Sequence, residues 1–157
     1  GWSQRCTNAG DGNRLLFPRI EPAVITAIVD SQDRLLLQHN SAWRNPLLYS
    51  VSAGFVEAGE NLEHAARREA KEGDRHRPGR GCATSGSQRG RSPRPWMMAF
   101  KAQALSTDIL VGGEETETAR WVTRDEYTIE LSEGRMEAPG KSTIARYMIE
   151  EWYGREL

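Results

Sequence analysis

A predicted strand, a glycine-bearing loop and an amphipathic helix follow one another near the middle of this chain, and they constrain its fold more than any other segment. Residues 48–56 are extended in character and run into Gly54 and Gly59. These glycines allow a tight turn and a close approach of the backbone to a ligand. Asn61 is a favourable N-cap for a helix over residues 61–72. The segment therefore predicts a strand–loop–helix unit.

Charged residues lie at regular positions in this unit. Glu69 and Glu72 are three residues apart, so their carboxylates share one helix face. Neighbouring carboxylates repel each other unless a cation lies between them, and Mg²⁺ prefers carboxylates together with phosphate oxygens. Alternatively, Arg68, Glu69 and Glu72 form only the solvated face of a helix. The positions of Gly54 and Glu60 relative to these three residues resemble those of a known metal-binding motif, and this resemblance favours a metal site.

The spacing resembles the Nudix box, G-x5-E-x7-R-E-U-x-E-E-x-G-U, in which U is a bulky aliphatic residue. The matching positions are Gly54, Glu60, Arg68, Glu69 and Glu72. The resemblance implies that Glu69 and Glu72 bind Mg²⁺ or Mn²⁺ and take part in catalysis. It implies structural roles for Gly54, Glu60 and Arg68, with an ion pair between Glu60 and Arg68 that ties the loop to the helix.

The match to the box is interrupted after Glu72. Gly73 occupies the position of the last glutamate, and Arg75 occupies that of a glycine. Because glycine has no side chain to bind a metal, the resemblance predicts weaker metal binding and slower turnover. Glycine is also a common helix stop, so the helix is predicted to end at Gly73.

Further segments resemble the NADH pyrophosphatase (NAD diphosphatase) branch of the Nudix hydrolases. They are FPRIEPAVI at 17–25, GFVEAGE at 54–60 and STIAR at 142–146. That branch also carries the motif S-Q-P-W-P-F-P-x-S-L-M, of which this chain has Ser87, Gln88 and Met97 but not the middle. The implied specificity for NAD therefore lacks part of its motif.

The resemblance implies additional ligands and substrate contacts. The carbonyl of Ala53 and the carboxylate of Glu115 would join the metal site, with Glu114 as the alternative to Glu115. An acidic surface turn explains those two glutamates equally well. The implied substrate contacts are Phe17, Phe55, Ser87, Gln88 and Ala145. The two phenylalanines would stack on bases, although isolated phenylalanines more often belong to a core.

The implied reaction is metal-dependent hydrolysis of the pyrophosphate bond of NAD(H) to nicotinamide mononucleotide and AMP. Removal of NAD caps from RNA is implied as a further activity, and the resemblance also implies a homodimer. Two alternatives stay open. One is a Nudix hydrolase of another nucleoside diphosphate compound, such as ADP-ribose. The other is a non-catalytic Nudix module that binds nucleotide or RNA.

Residues 73–95 differ in composition from the rest of the chain. They contain six Arg, five Gly and three Pro, but no Val, Ile, Leu, Met or aromatic residue. Such a segment buries little apolar surface, which predicts a loop or disorder. An arginine-rich contact surface for RNA is the functional alternative. If synonymous codons are chosen suitably for this segment, single-base shifts of the reading frame change parts of it into Glu-Thr-Gly-Ile-Val-Leu-Asp and Pro-Trp-Pro-Phe-Pro. These are the missing end of the Nudix box and the missing middle of the second motif. We therefore expect that the segment arose from an out-of-frame reading.

The other segments predict an α/β class fold, the Nudix α/β/α sandwich with a mixed sheet. Strands are expected at 23–30, 34–38, 48–56, 96–104 and 118–122. A second helix should follow residue 142, because Ile144, Met148 and Trp152 recur every four residues. The Nudix domain is predicted over 20–157, and residues 1–19 are expected to be the remnant of a zinc-ribbon or linker region.

The gross composition limits the function classes. The chain has 157 residues and a net charge of −1, which suits one domain and gives no sequence-wide argument for nucleic acid or anionic membrane. No apolar run reaches the roughly 20 residues of a membrane helix. Cys6 and Cys82 form no disulfide framework, which favours the cytoplasm. One ribbon cysteine cannot hold zinc, so none is expected. The absence of an initial Met suggests N-terminal truncation.

Overall fold

The computed structural model defines the fold over most of the chain. It describes residues 4–8, 10, 12, 15–16, 21–74, 83–89, 96–105, 107 and 116–157. Two short strands, β1 (Gln4–Arg5) and β2 (Leu15–Leu16), pair antiparallel with each other. The region 1–19, expected to be the remnant of a zinc-ribbon or linker region, therefore contains a small two-stranded sheet, separate from the main one.

A mixed sheet forms the centre of the molecule. Its strands are β3 (Pro22–Val29), β4 (Leu35–Asn40), β5 (Ser52–Phe55), β6 (Ala83–Arg89), β7 (Trp96–Gln103) and β8 (Thr116–Val122). The order across the sheet is β6-β7-β3-β4-β8, and β5 also pairs with β3. Strands β3 and β7 run parallel, and the other described pairs are antiparallel.

Strand β3 shares one of its edges between two partners. The C-terminal end of β3 pairs with β4, where Val29 of β3 is opposite Leu35 of β4. The first half of β3 pairs with β5. A single bridge joins Gln38 of β4 to Ser50, just before β5. Strand β5 therefore lies between the diverging β3 and β4, and the loop that follows β5 emerges beside the centre of the sheet.

Helices cover both faces of this sheet. They are α1 (Leu62–Asp74), α2 (Arg124–Ser132) and α3 (Ile144–Tyr153). Alternate residues of β3 face opposite ways, so Val24 packs with alanines of α1. Its neighbour Ile25 belongs to the cluster that includes buried residues of α2 and α3. The α/β/α sandwich with a mixed sheet is confirmed.

The predictions for residues 73–95 need correction in two places. Helix α1 continues through Gly73 to Asp74, because Gly73 keeps a helical backbone instead of the positive φ of a glycine stop. Residues Ala83–Arg89 form β6, so the expectation of irregular structure was wrong there. Pairing with β7 makes this segment a strand despite its weak strand composition. Residues 75–82 and 90–95 lie outside the described residues.

The other expected elements differ mainly in their ends. The strand predicted over 48–56 is shorter, because only Ser52–Phe55 pairs continuously with β3. Residue Leu48 instead bridges to Glu137, outside the sheet. Helix α2 was not predicted. It begins with a capping box, in which the side chain of Thr123 accepts from the amide of Glu126 and the Glu126 carboxylate accepts from the amide of Thr123.

Candidate functional site

Arg68 connects the loop after β5 to helix α1. Its Nε donates to Oε1 of Glu60 at 2.9 Å, and its Nη2 donates to Oε2 of Glu60 at 3.0 Å. The same Nη2 donates to the carbonyl oxygen of Phe55 at 2.7 Å. Glu60 and Arg68 thus form the ion pair expected from the sequence. Its two-pronged geometry requires the planar guanidinium of arginine.

The loop between β5 and α1 is closed by local hydrogen bonds. The amide of Glu57 donates to Oε2 of Glu60 at 3.0 Å. The Arg68 guanidinium, and then the amide of Glu57, hold the pKa of the Glu60 carboxyl below its ordinary value of 4.5. Gly59 has a φ of 86°, which glycine adopts without steric cost. The loop is therefore fixed around an ionised Glu60.

The N-terminus of α1 is capped as the sequence predicts. The side-chain oxygen of Asn61 accepts from the amide of His64 at 2.8 Å, and the Asn61 carbonyl accepts from the amide of Ala65 at 3.0 Å. This cap fixes where the helix starts relative to β5. It thereby sets which face of α1 meets the sheet.

The carboxylate of Glu69 lies directly against the backbone of Gly54. A side-chain carbon at position 54 would come within 1.9 Å of Cδ of Glu69 and 2.0 Å of its Oε2. Oε1 of Glu69 also accepts from Nη1 of Arg68 at 2.8 Å. Only glycine at position 54 leaves space for this carboxylate, so Gly54, Arg68 and Glu69 form one arrangement.

The described residues contain part of the expected metal site. Among them, no group of three or more His, Cys, Asp or Glu side chains converges. Glu69 offers a hard oxygen donor of the type that suits Mg²⁺ or Mn²⁺. Glu72 lies in α1, but its side chain, like Glu114 and Glu115, is outside the described residues. Ala53 lies on β5 immediately before Gly54, with its side chain exposed.

Two of the expected substrate-contact positions share one row across the sheet. In the strand register, Phe55 is opposite Ala23, Ala23 is opposite Met97, and Met97 is opposite Gln88. Three strand spacings of about 4.8 Å separate Phe55 from Gln88, roughly 14 Å in all. Phe55 is 56% exposed, so it is not a core residue. Its ring is available for stacking.

The remaining expected contacts are less completely described. Ser87 belongs to β6 in the next row, which also contains Gly54. The side chains of Ser87 and Gln88, and the whole of Phe17, lie outside the described residues. Ala145 is buried in the first turn of α3, where backbone amides have no acceptor within the helix.

The comparisons with known proteins identify the family. The family model described as NUDIX domain matches residues 19–147. The chain therefore belongs to the Nudix family, and it is similar to hydrolases of that family.

Curated relatives agree with the resemblance to the NADH pyrophosphatase branch. NAD-capped RNA hydrolase NudC of Mycobacterium tuberculosis (strain ATCC 25618 / H37Rv) is 37% identical over 161 residues, which cover 97% of this chain and 50% of that protein. NAD-capped RNA hydrolase NUDT12 of Homo sapiens is 30% identical over 150 residues, covering 94% of this chain and 32% of that protein. The chain thus spans half or less of the length of these relatives.

Solved structures show the same fold at lower sequence identity. The NUDIX hydrolase from Nitrosomonas europaea aligns with a TM-score of 0.65 at 19% identity, covering 98% of this chain and 89% of that one. DR0079 from Deinococcus radiodurans aligns with a TM-score of 0.57 at 21% identity, covering 85% and 82%. In the described part of our chain, no helix is both long and apolar enough to cross a membrane.

Proposed function

We propose that this chain hydrolyses the pyrophosphate bond of NAD(H), and of NAD caps on RNA, and that Gly73 makes its turnover slow. The observation that carries the proposal is the arrangement around Gly54. There, Arg68 binds Glu60 and Glu69 together and leaves the Glu69 carboxylate against the glycine backbone. A solvated helix face would not need a glycine at that distance.

The residues of this chain would divide the chemistry as follows. Glu69 and Glu72, with the carbonyl of Ala53 and the carboxylate of Glu115, would hold Mg²⁺ or Mn²⁺. A bound divalent ion offsets the negative charge of a pyrophosphate and lowers the pKa of a water. Arg68 donates a hydrogen bond to Oε1 of Glu69 and thereby orients the carboxylate. Gly73 contributes no donor, so we expect weak metal binding.

Substrate recognition would use the row of residues at one end of the sheet. The exposed ring of Phe55 offers a face on which a base can stack. Ser87 and Gln88 lie in the adjoining rows on β6, and Phe17 would add a second stacking ring. The backbone amide of Ala145, at the start of α3, would donate to the substrate.

The missing carboxylate at position 73 supports a second candidate, a Nudix module that binds nucleotide or RNA without cleaving it. The first assay therefore incubates the purified chain with NADH, ADP-ribose and NAD-capped RNA, each with and without Mg²⁺ or Mn²⁺. Chromatography then measures the products. We expect metal-dependent release of reduced nicotinamide mononucleotide and AMP from NADH, with a slower reaction on ADP-ribose.

The variant Glu69→Gln is the matched control for this assay, because it keeps the size of the side chain and removes its charge. We expect it to lower the rate by about 100-fold or more. Salt-dependent RNA binding by the wild-type chain, without any metal-dependent cleavage, would instead favour the non-catalytic module. Preferred cleavage of ADP-ribose would reassign the substrate.

Four expectations from the sequence accompany this proposal. A homodimer would be seen by analytical ultracentrifugation. The absence of structural zinc would be refuted by one zinc per chain in elemental analysis. An out-of-frame origin of residues 73–95 is tested by sequencing the coding DNA, which must then yield the two family motifs after one-base shifts. A cytoplasmic location would be tested by fractionating cells that express the protein.

A further inference from the structure

A row of polar side chains crosses the sheet beneath helix α1. Strand alternation places Thr26 on the same face as Val24 and Ile28, which pack with alanines of α1. The pairing of β5 with β3, and the bridge from Ser50 to β4, continue this face across the sheet. The polar row, as we call it, consists of Thr26, Ser52, Ser50 and Gln38.

Three of the four residues of the polar row are buried and Gln38 is partly buried, and two oxygens of the row have no partner among the described residues. Thr26 is 1% exposed, Ser52 is 5% exposed and Ser50 is 8% exposed. Within the part of the chain that the structure describes, Oγ1 of Thr26 and Oε1 of Gln38 make no hydrogen bond. Buried polar atoms in folded proteins are nearly always bonded to the protein or to ordered water. These two oxygens therefore indicate a small bound ligand.

Water is the ligand that fits the chemistry of the polar row. Its side chains are hydroxyls and an amide, so they carry no charge that would select an ion. The α1 residues fully buried against this face are Ala65, Ala66 and Ala70, which offer no hydrogen bond. Because β5 lies between their strands, the two oxygens would bind separate waters: one water can donate to Gln38, and another can donate to or accept from Thr26.

The polar row leads toward the carboxylate of Glu69. Ser52 lies two residues before Gly54 on the same face of β5, a separation of about 7 Å along a strand. The Glu69 carboxylate lies against Gly54. One or two hydrogen-bonded waters span such a distance. Water held by Thr26 and Ser52 can therefore reach Glu69 from beneath the helix.

We propose that the polar row binds ordered water, and that this water positions the Glu69 carboxylate over Gly54. Thr26 is then a positioning residue that acts on the reaction through Glu69. The binding of water does not depend on the proposed function. The effect of Thr26 on hydrolysis, by contrast, rests on the proposed function.

The structural test compares two variants of Thr26. Thr26→Val keeps the shape of the side chain and removes the hydroxyl, whereas Thr26→Ser keeps the hydroxyl. Crystal structures should show water within hydrogen-bonding distance of Oγ1 in the wild-type chain and of the hydroxyl in Thr26→Ser. In Thr26→Val, the Glu69 carboxylate should move away from Gly54. A dry row in the wild-type chain, or an unmoved Glu69 in Thr26→Val, overturns the proposal.

The kinetic test uses NADH hydrolysis by the same variants. We expect Thr26→Val to lower kcat about tenfold with an unchanged KM, and Thr26→Ser to restore kcat. The control is Thr128→Val on α2, which removes a hydroxyl bonded to Tyr153, away from α1. It should lower the thermal midpoint and leave kcat unchanged.

The outcomes of the two tests separate the two proposals. Equal kcat values for the wild-type chain and Thr26→Val would overturn the positioning role. A wild-type chain that hydrolyses no dinucleotide would refute the proposed function, and the crystal structures alone would then decide whether the polar row holds water.

Discussion

Gly54 is constrained by the group that lies against it rather than by its own backbone conformation. Its φ is outside the left-handed region, unlike that of Gly59. The space a side chain would need is occupied by the carboxylate of Glu69. That carboxylate is the flexible end of a side chain, so a substitution at Gly54 would displace it without unfolding the loop.

We therefore predict that Gly54→Ala impairs activity more than stability. Displacement of Glu69 should lower the rate of NADH hydrolysis about 10- to 100-fold, while the thermal midpoint changes little. The matched control is Gly140→Ala, where the added carbon meets only Cγ2 of Thr143 at 3.9 Å. Full activity in Gly54→Ala would show that the position of the Glu69 carboxylate does not matter for the reaction.

The Glu60–Arg68 pair predicts a specific dependence of stability on pH. Because the pKa of Glu60 is held below 4.5 in the folded chain, the pair stabilises the fold above that pH. This contribution is lost as the pH falls through the folded pKa. In Glu60→Gln, we expect lower stability at neutral pH and a smaller further loss in acid. Urea unfolding of both proteins across this range measures the effect, and superimposable profiles would contradict it.

The sequence predicts the side chains of this site better than their backbone partners. The resemblance to the Nudix box implied the ion pair of Glu60 and Arg68, and the structure contains it. The hydrogen bond from Arg68 to the carbonyl of Phe55 could not be expected, because every residue carries a carbonyl and only the folded loop selects one. The contact of Glu69 with Gly54 likewise depends on how closely α1 packs on β5.

At the scale of elements, α1 shows what the interruption of the Nudix box changes. The helix extends past the missing carboxylate to Asp74, so the helical scaffold includes the altered position. Glycine within a helix costs about 0.5–1 kcal/mol relative to alanine. If the proposed metal site is correct, the glycine at position 73 removes a ligand while it leaves the helix nearly intact.

Because the helix persists at position 73 and only the carboxylate is missing, we predict that restoring the carboxylate increases activity. Gly73→Glu should raise Mn²⁺ affinity and the rate of NADH hydrolysis, each by about tenfold or more, because it supplies the absent carboxylate. Gly73→Ala is the control, since it removes the cost of glycine without adding a ligand. Electron paramagnetic resonance of free Mn²⁺ and the NADH assay measure both. If Gly73→Glu and Gly73→Ala changed the Mn²⁺ affinity and the rate equally, the introduced glutamate would act only by stabilising the helix.

The elements that sequence reasoning missed lack a strong apolar pattern. Strand β6 has the sequence ATSGSQR, and it becomes a strand because β7 offers an edge to it. Helix α2 buries only Tyr127, so its helical period is weak. A signal for α2 was nevertheless present, because Thr123 and Glu126 have the spacing of a capping box. Strands β3 and β7 were predicted because apolar residues dominate both.

At the scale of the whole molecule, stability should depend mainly on the two apolar layers between sheet and helices. Leu37 is fully buried in the layer beneath α2 and α3. We predict that Leu37→Ala lowers the free energy of unfolding by about 2–5 kcal/mol. The comparison is Leu47→Ala, at a residue that is 36% exposed, where the change should stay within about 0.5 kcal/mol. Denaturant unfolding that gives equal losses would contradict this division.

One edge of β3 pairs with both β4 and β5, and this arrangement affects how the chain tolerates mutations. Strand β3 is hydrogen-bonded to β7 along one side and to β4 and β5 along the other, so its amides should exchange with solvent only when the whole domain opens. The box residues attach to this framework through one short strand and one helix. Mutations can therefore remove the chemistry of the loop and helix while the sheet persists. A lineage can thus lose the reaction, and later regain it, without losing the fold.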